Sequence, residues 1–185
     1  MAEYYLISQL PSLDGISDNT PLPITEERFT ELCNRFLGKR SQEAMKELTL
    51  SPPKNSENSG SVLIDAWNEC ERNLRFALGK VRAEKMKKPF DTENRIFLVE
   101  YIKAASAAIE IENPMEAEKY LNSYRLEILE TLRPMDSFSE DYIFYYGLKL
   151  KLLLRIRQFD IKSGEKAYKN IYDSILNGDR LEARQ

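Results

Sequence analysis

Few residues in this 185-residue chain could do chemistry. Cys33 and Cys70 lie far apart in sequence, and neither has a neighbouring ligand pair, so their spacing makes no zinc or redox motif. Histidine is absent. That removes the commonest general base, the commonest zinc ligand and every Ser-His or Cys-His nucleophile pair. The seven glycines are scattered singly and build neither a Walker-type phosphate loop nor a dinucleotide turn. Glu110, Glu112, Glu116 and Glu118 form the densest carboxylate group, where a solvated helix junction is a better account than a hard metal ion. The sequence therefore nominates no catalytic, cofactor-binding or metal-binding residue, and a non-enzymatic protein is expected.

Charge offers more. Between residues 72 and 88, Arg72, Arg75, Lys80, Arg82, Lys85, Lys87 and Lys88 face only Glu84, a local excess of +6 in a chain whose formal net charge is −3. On a helix, Arg72, Arg75 and Arg82 fall to one side of the apolar stripe, so Arg72, Arg75, Arg82 and Lys85 are the candidate partner-binding residues. The bland account is a solvated face, with lysines favoured near a helix C-terminus by the macrodipole. An acidic protein surface suits this run better than nucleic acid, because Phe76 is its single aromatic residue and no series of rings interleaves with the charges to stack on bases. The ten tyrosines, with Tyr4-Tyr5, Tyr142 and Tyr145-Tyr146 clustered, suit either helix packing or an interface.

The elements that carry these residues read as helices. Thr25 is placed to cap a helix in which Phe29, Leu32, Cys33 and Phe36 share a face, with Gly38 as its stop. A shorter helix follows over 41–48. A long amphipathic helix over 62–87 buries Leu63, Trp67, Cys70, Leu74, Ala77 or Leu78, and Val81. Thr92 caps the next, with Phe97, Tyr101, Ala104, Ala108 and Ile111 on its face. Asn113-Pro114-Met115-Glu116 opens another that buries Ala117, Leu121, Tyr124, Ile128 and Leu132 and ends before Pro134. Ser139 opens a central helix apolar on more than one side, and a last helix over 164–176 closes at Asn177-Gly178.

The expected fold is thus all-α, a bundle of about six to seven amphipathic helices in one or two lobes with an extended N-terminal arm over the first 24 residues. Its organisation divides into arm and short helices (1–50), a linker (51–60) carrying Pro52 and Pro53, and a C-terminal helical lobe (61–185). Apolar residues at 42% and charged residues at 31% fit a water-soluble, helix-rich chain. The opening Met1-Ala2-Glu3-Tyr4-Tyr5 has no basic start leading into a long apolar stretch, so a cytoplasmic location is expected, with buried free thiols at Cys33 and Cys70. Lysines and glutamates interrupt the two most apolar segments, which disfavours a membrane span.

Several segments, in order, resemble one family. They are Tyr4-Tyr5-Leu6-Ile7-Ser8-Gln9-Leu10-Pro11-Ser12-Leu13, then Pro21-Leu22-Pro23 with Phe29 and Cys33, then Trp67-Asn68 with Glu71-Arg72 and Leu74-Arg75. Arg82-Ala83-Glu84-Lys85, Glu112 to Glu118, and Leu148-Lys149-Leu150 with Arg155 and Phe159-Asp160 complete them. Together they are similar to uncharacterised proteins encoded in bacterial V-type ATPase gene clusters, themselves similar to the C (or d) stalk subunit. The resemblance implies an all-helical, non-catalytic coupling subunit or assembly factor, peripheral at the membrane through its complex. Its partners would be the central shaft and the membrane rotor ring, with no small-molecule substrate. This chain is shorter than the relatives it resembles, and the stretch from Gly38 to Gly60 marks where a lobe would be reduced. The competing expectation is a nucleic-acid-binding or regulatory module using the basic helix 72–88.

Overall fold

The structure, a computed structural model, describes residues 2–16, 20–53, 59–91, 98–158 and 168–172. It is all-α. Helices α1 (Ala2–Gln9), α2 (Glu26–Phe36), α3 (Lys39–Glu47), α4 (Val62–Lys85), α5 (Val99–Glu110), α6 (Pro114–Thr131) and α7 (Glu140–Gln158) follow in order, and residues 168–172 form a further helical turn. No strand occurs among the described residues.

Local chemistry sets the helix starts. The Thr25 hydroxyl accepts from the Arg28 N–H at 3.2 Å, and Glu26 and Glu27 occupy the positive end of α2. Ser61 does the same for α4, accepting from the Ile64 N–H at 3.2 Å while donating its own proton to Asp141 at 2.6 Å, which ties the start of α4 to the start of α7. The Asn113 side chain accepts from the Met115 N–H at 3.0 Å, with Pro114 in the first turn of α6. Helix α5 starts after Leu98 without a side-chain cap. The expected cap Thr92 and its partner Phe97 lie outside the described residues, as do Phe159 and most of the 164–176 helix with its Asn177-Gly178 close.

The N-terminal segment departs from the expected extended arm: Ala2–Gln9 is a helix. Its sequence alternates too little to read as a strand and is too short to show helical phase, so a single buried residue, Leu6, anchors it. The rest of the segment, residues 10–16 and 20–25, is irregular and fixed by polar pins. Tyr146 donates to the Pro11 carbonyl at 2.9 Å, Arg157 to the Thr20 carbonyl, and Lys151 bonds Glu26 at 2.6 Å.

Helix α7 runs through the centre, with every residue from Ile143 to Leu150 buried. Helices α2, α3, α4 and α6 all pack on it. One apolar core joins Leu6, Phe29, Leu32, Trp67, Ile143 and Leu148, so residues on both sides of the Ser51–Gly60 stretch share it. A second core lies between α4, α5 and α6, where Ala104, Ala105 and Ala108 let α5 approach Leu74 and Leu78 closely. Leu74, Leu148, Leu150 and Leu152 are fully buried, each adding about 1.5–3 kcal/mol relative to an exposed leucine.

Gly147 marks the tightest crossing. A Cβ there would lie 3.0 Å from Leu48 Cδ2, 3.2 Å from Phe29 Cε1 and 3.3 Å from Met45 Sδ, so α2 and α3 close onto α7 over a bare backbone. Gly147→Val is expected to lower stability by about 1–3 kcal/mol. Gly147→Ala should cost less, because the roughly 1 kcal/mol gain in helix propensity offsets the squeeze. Urea unfolding of the two variants checks the order.

Candidate functional site

Helix α4 carries the sequence-nominated basic residues, and the structure gives them different tasks. Arg75 is exposed but engaged: its Nε donates to buried Glu71 at 2.9 Å and its Nη2 to the Ser51 hydroxyl at 2.9 Å. Arg72 is half-buried, with a buried Nε. Lys85 is exposed but donates to the Ile109 carbonyl at 3.1 Å, placing a cation at the negative end of α5. Arg82 is exposed, and so are Lys87 and Lys88 just beyond the helix. The densest solvent-facing basic surface is therefore the end of α4, with Arg75 exposed further back along the helix.

The end of α4 is strained. Lys87 has φ 53°, while its N–H donates to the Glu84 carbonyl at 3.1 Å and the Lys88 N–H to the Ala83 carbonyl at 2.9 Å. This is the helix-closing motif in which glycine normally takes the left-handed position. A lysine there costs roughly 1–2 kcal/mol of backbone conformation.

Sequence reasoning missed a buried ionic cluster. The Glu71 side chain is 1% exposed and that of Arg125, on α6, 6%. Arg125 donates Nε to Glu71 Oε2 at 3.0 Å and Nη2 to Oε1 at 3.2 Å, a two-pronged contact. Its Nη1 reaches the Asn122 Oδ1 at 3.1 Å and Glu118 at 3.4 Å, and Glu118 in turn takes Arg155 of α7 at 2.5 Å. Glu118 thus belongs to the interior network, while Glu110, Glu112 and Glu116 are exposed. The available signal was Glu71 itself, four residues after Trp67 and three before Leu74 on the apolar stripe.

A second cluster centres on Lys149, which hydrophobic patterning marks as a break in an apolar segment. Its ammonium meets Asp14 and Glu130 at 2.5 Å each and the Tyr145 hydroxyl at 3.3 Å. Burial opposes the Lys149 charge, but these three acceptors outweigh it and hold its pKa above the ordinary lysine value. The hydrogen bond from Lys149 holds the Asp14 carboxyl below the usual carboxylate range. The cluster borders a cavity of about 230 Å³ lined by Leu10, Tyr142, Tyr145, Tyr146 and Arg133.

Both thiols are free. Burial pushes Cys33 up to about 12, leaving an unreactive thiol, and Cys70 is half-buried against Tyr101, whose phenol is raised by burial and by that contact. No group of cysteine and carboxylate side chains among the described residues is arranged to hold a metal ion. No described helix is long and apolar enough to cross a membrane.

Among known families, residues 95–179 match one described as a protein of unknown function (DUF2764). That span takes in α5, α6 and α7, and with them Arg125, Lys149 and Arg155. No curated protein and no solved structure matches the chain.

Two predictions follow from the clusters. Glu71→Ala leaves the Arg125 guanidinium buried without its main counter-charge and is expected to cost about 3–5 kcal/mol, whereas Glu71→Met with Arg125→Met should recover most of that loss. Chemical denaturation of the three variants tests this. At low pH, Asp14 has the lower pKa in the folded state, so its contribution is present above the unfolded value near ~3.9 and disappears as pH falls through the folded one. Thermal melts at descending pH should show a shallower loss for Asp14→Asn, and a modest one, because the carboxylate is 56% exposed and screened.

Proposed function

We propose that the chain is a non-catalytic helical adaptor that docks the basic end of α4 onto an acidic surface of a larger assembly. The observation that carries this reading is Lys87: a strained left-handed lysine where glycine would close the helix at no cost, set among the exposed Arg82, Lys85 and Lys88. A charge kept at the expense of backbone strain is a charge in use. The assembly is a bacterial V-type ATPase, the setting that the ordered resemblance from Tyr4 to Asp160 implies. In it the chain acts as a stalk-like coupling subunit or assembly factor between shaft and rotor ring. A rigid bundle suits that task, since torque or register passes through packed helices without local yielding.

The test separates docking from folding. Arg82→Glu with Lys88→Glu alters only exposed side chains, whereas reversing Arg75 would set a second carboxylate against buried Glu71 and disturb the core. A tagged wild-type chain from its native cells should recover head, shaft and ring subunits in fixed proportion, and the double variant should lose them with unchanged circular dichroism. Recovery of nucleic-acid-binding factors instead, together with salt-sensitive retardation of DNA or RNA, would transfer the basic end to the nucleic-acid reading. Lys87→Gly should raise stability by about 1 kcal/mol, roughly 2–4 °C in Tm, while weakening the same association.

A further inference from the structure

The end of the molecule opposite the basic residues carries exposed rings. Tyr4 and Tyr5 of α1 and Phe138 in the turn before α7 are each more than half exposed, and Met135 in the same turn is fully exposed. Tyr4 stacks on Phe138 with centroids 5.0 Å apart and planes at 27°, and Tyr5 meets Tyr4 edge-on at 6.1 Å. The rings therefore form one pre-set ledge, and covering it loses little side-chain entropy.

Carboxylates surround the ledge. Glu3 lies on α1 beside Tyr4, Asp136 accepts from the Phe138 N–H at 2.9 Å, and Glu140 and Asp141 open α7. Burial and the neighbouring charges of Glu3 and Asp141 raise the Glu140 carboxyl, with Arg40 of α3 opposing them. A cleft of about 300 Å³ continues from Glu140 past Arg40, Glu43, Glu47 and Phe144. Three carboxylates, Glu43, Glu47 and Glu140, and one arginine, Arg40, line it.

We infer that this ledge is a docking site for a basic amphipathic helix of a partner protein. The partner's apolar stripe covers Tyr4, Tyr5 and Phe138, and its flanking lysines or arginines meet Asp136 and Glu140, with one reaching the Glu43–Glu47 cleft. Charge complementarity selects this occupant: an acidic helix would add to the crowding at Glu140, and a basic one relieves it. The inference rests on the adaptor reading and completes it. The Ser61–Asp141 bond sets the ledge at the start of α4, and the 24 residues of that helix carry the basic end about 36 Å away. One rigid rod thus presents an acidic aromatic surface at one end and a basic surface at the other.

The experiment is fluorescence polarisation of the full chain with a labelled synthetic Leu/Lys amphipathic helix, using a Leu/Glu helix of equal length as control. The Leu/Lys helix should bind and the control should not. Tyr4→Ser with Phe138→Ser should weaken binding at least tenfold, and so should Glu43→Lys with Glu140→Lys, a pair that leaves the rings in place. Arg82→Glu with Lys88→Glu should leave this binding unchanged, so the ledge and the basic end are scored separately. Absence of Leu/Lys binding, or binding indifferent to both pairs of ledge variants, overturns the inference. Sedimentation showing self-association lost in both the ledge and the basic-end variants would also overturn it, by giving the ledge to a second copy.

Discussion

The bundle depends on a buried charge pair that has to be satisfied completely. Placing Glu71 and Arg125 out of water carries a penalty of several kcal/mol per ion, which only good geometry and further hydrogen bonds offset. The two-pronged contact supplies the geometry, and Asn122, Arg75 and Glu118 supply the remaining bonds. Because each prong has a fixed direction, sliding α6 against α4 by one turn would strand both ions. The pair therefore fixes helix register in a way the surrounding leucines alone do not. The cluster holds three arginines and two glutamates, and the surplus cation is tolerable because Arg75 and Arg155 reach water at its edges.

The polar contacts at the middle and the C-terminal part of α7 extend that logic. Lys149 draws Asp14 and Glu130 onto one buried ammonium, so the irregular N-terminal segment is attached to the central helix and to the end of α6. Toward the C-terminus of α7, Arg155 joins the Glu71 network through Glu118. An all-round apolar helix would pack in several rotations; these cations allow one. Gly147, just before Lys149 on the same helix, sets how closely α2 and α3 approach.

Much of this was legible in the sequence. Thr25, Ser139 and the Asn113-Pro114 pair mark helix starts through backbone hydrogen bonding that needs no tertiary partner, and α4 shows its stripe over six turns. Helix α6 was legible as a helix, and of its expected face of Ala117, Leu121, Tyr124, Ile128 and Leu132, Leu121 is buried and Tyr124, Ile128 and Leu132 pack against the cores half-buried. What the pattern did not give is the deeper burial of Asn122, Arg125 and Leu129. The omission has a physical source: hydrophobic periodicity assigns polar residues to solvent, and a polar residue moves inward only when a partner on another helix awaits it. The same blindness missed the bond from Arg75 to buried Glu71 and the burial of Lys149. Of the four basic residues nominated for contact, Arg75, Arg82 and Lys85 are exposed and Arg72 is half-buried, with Arg75 also bonded to Glu71.

What the interior fixes determines what the surface can do. Helix α4 is held along its length by the α5 alanines, by the Glu71 cluster and by the Ser61–Asp141 bond at its start. Its two ends are therefore kept at a constant separation. The ions that accomplish this are largely consumed internally, while carboxylates around Tyr4 and Phe138 and lysines around the left-handed Lys87 remain exposed at the extremities. A hinge between those ends would absorb any displacement applied at one of them. The buried pair resists that displacement, because yielding would expose one ion without its partner, and this resistance is the mechanical property an adaptor between two partners requires.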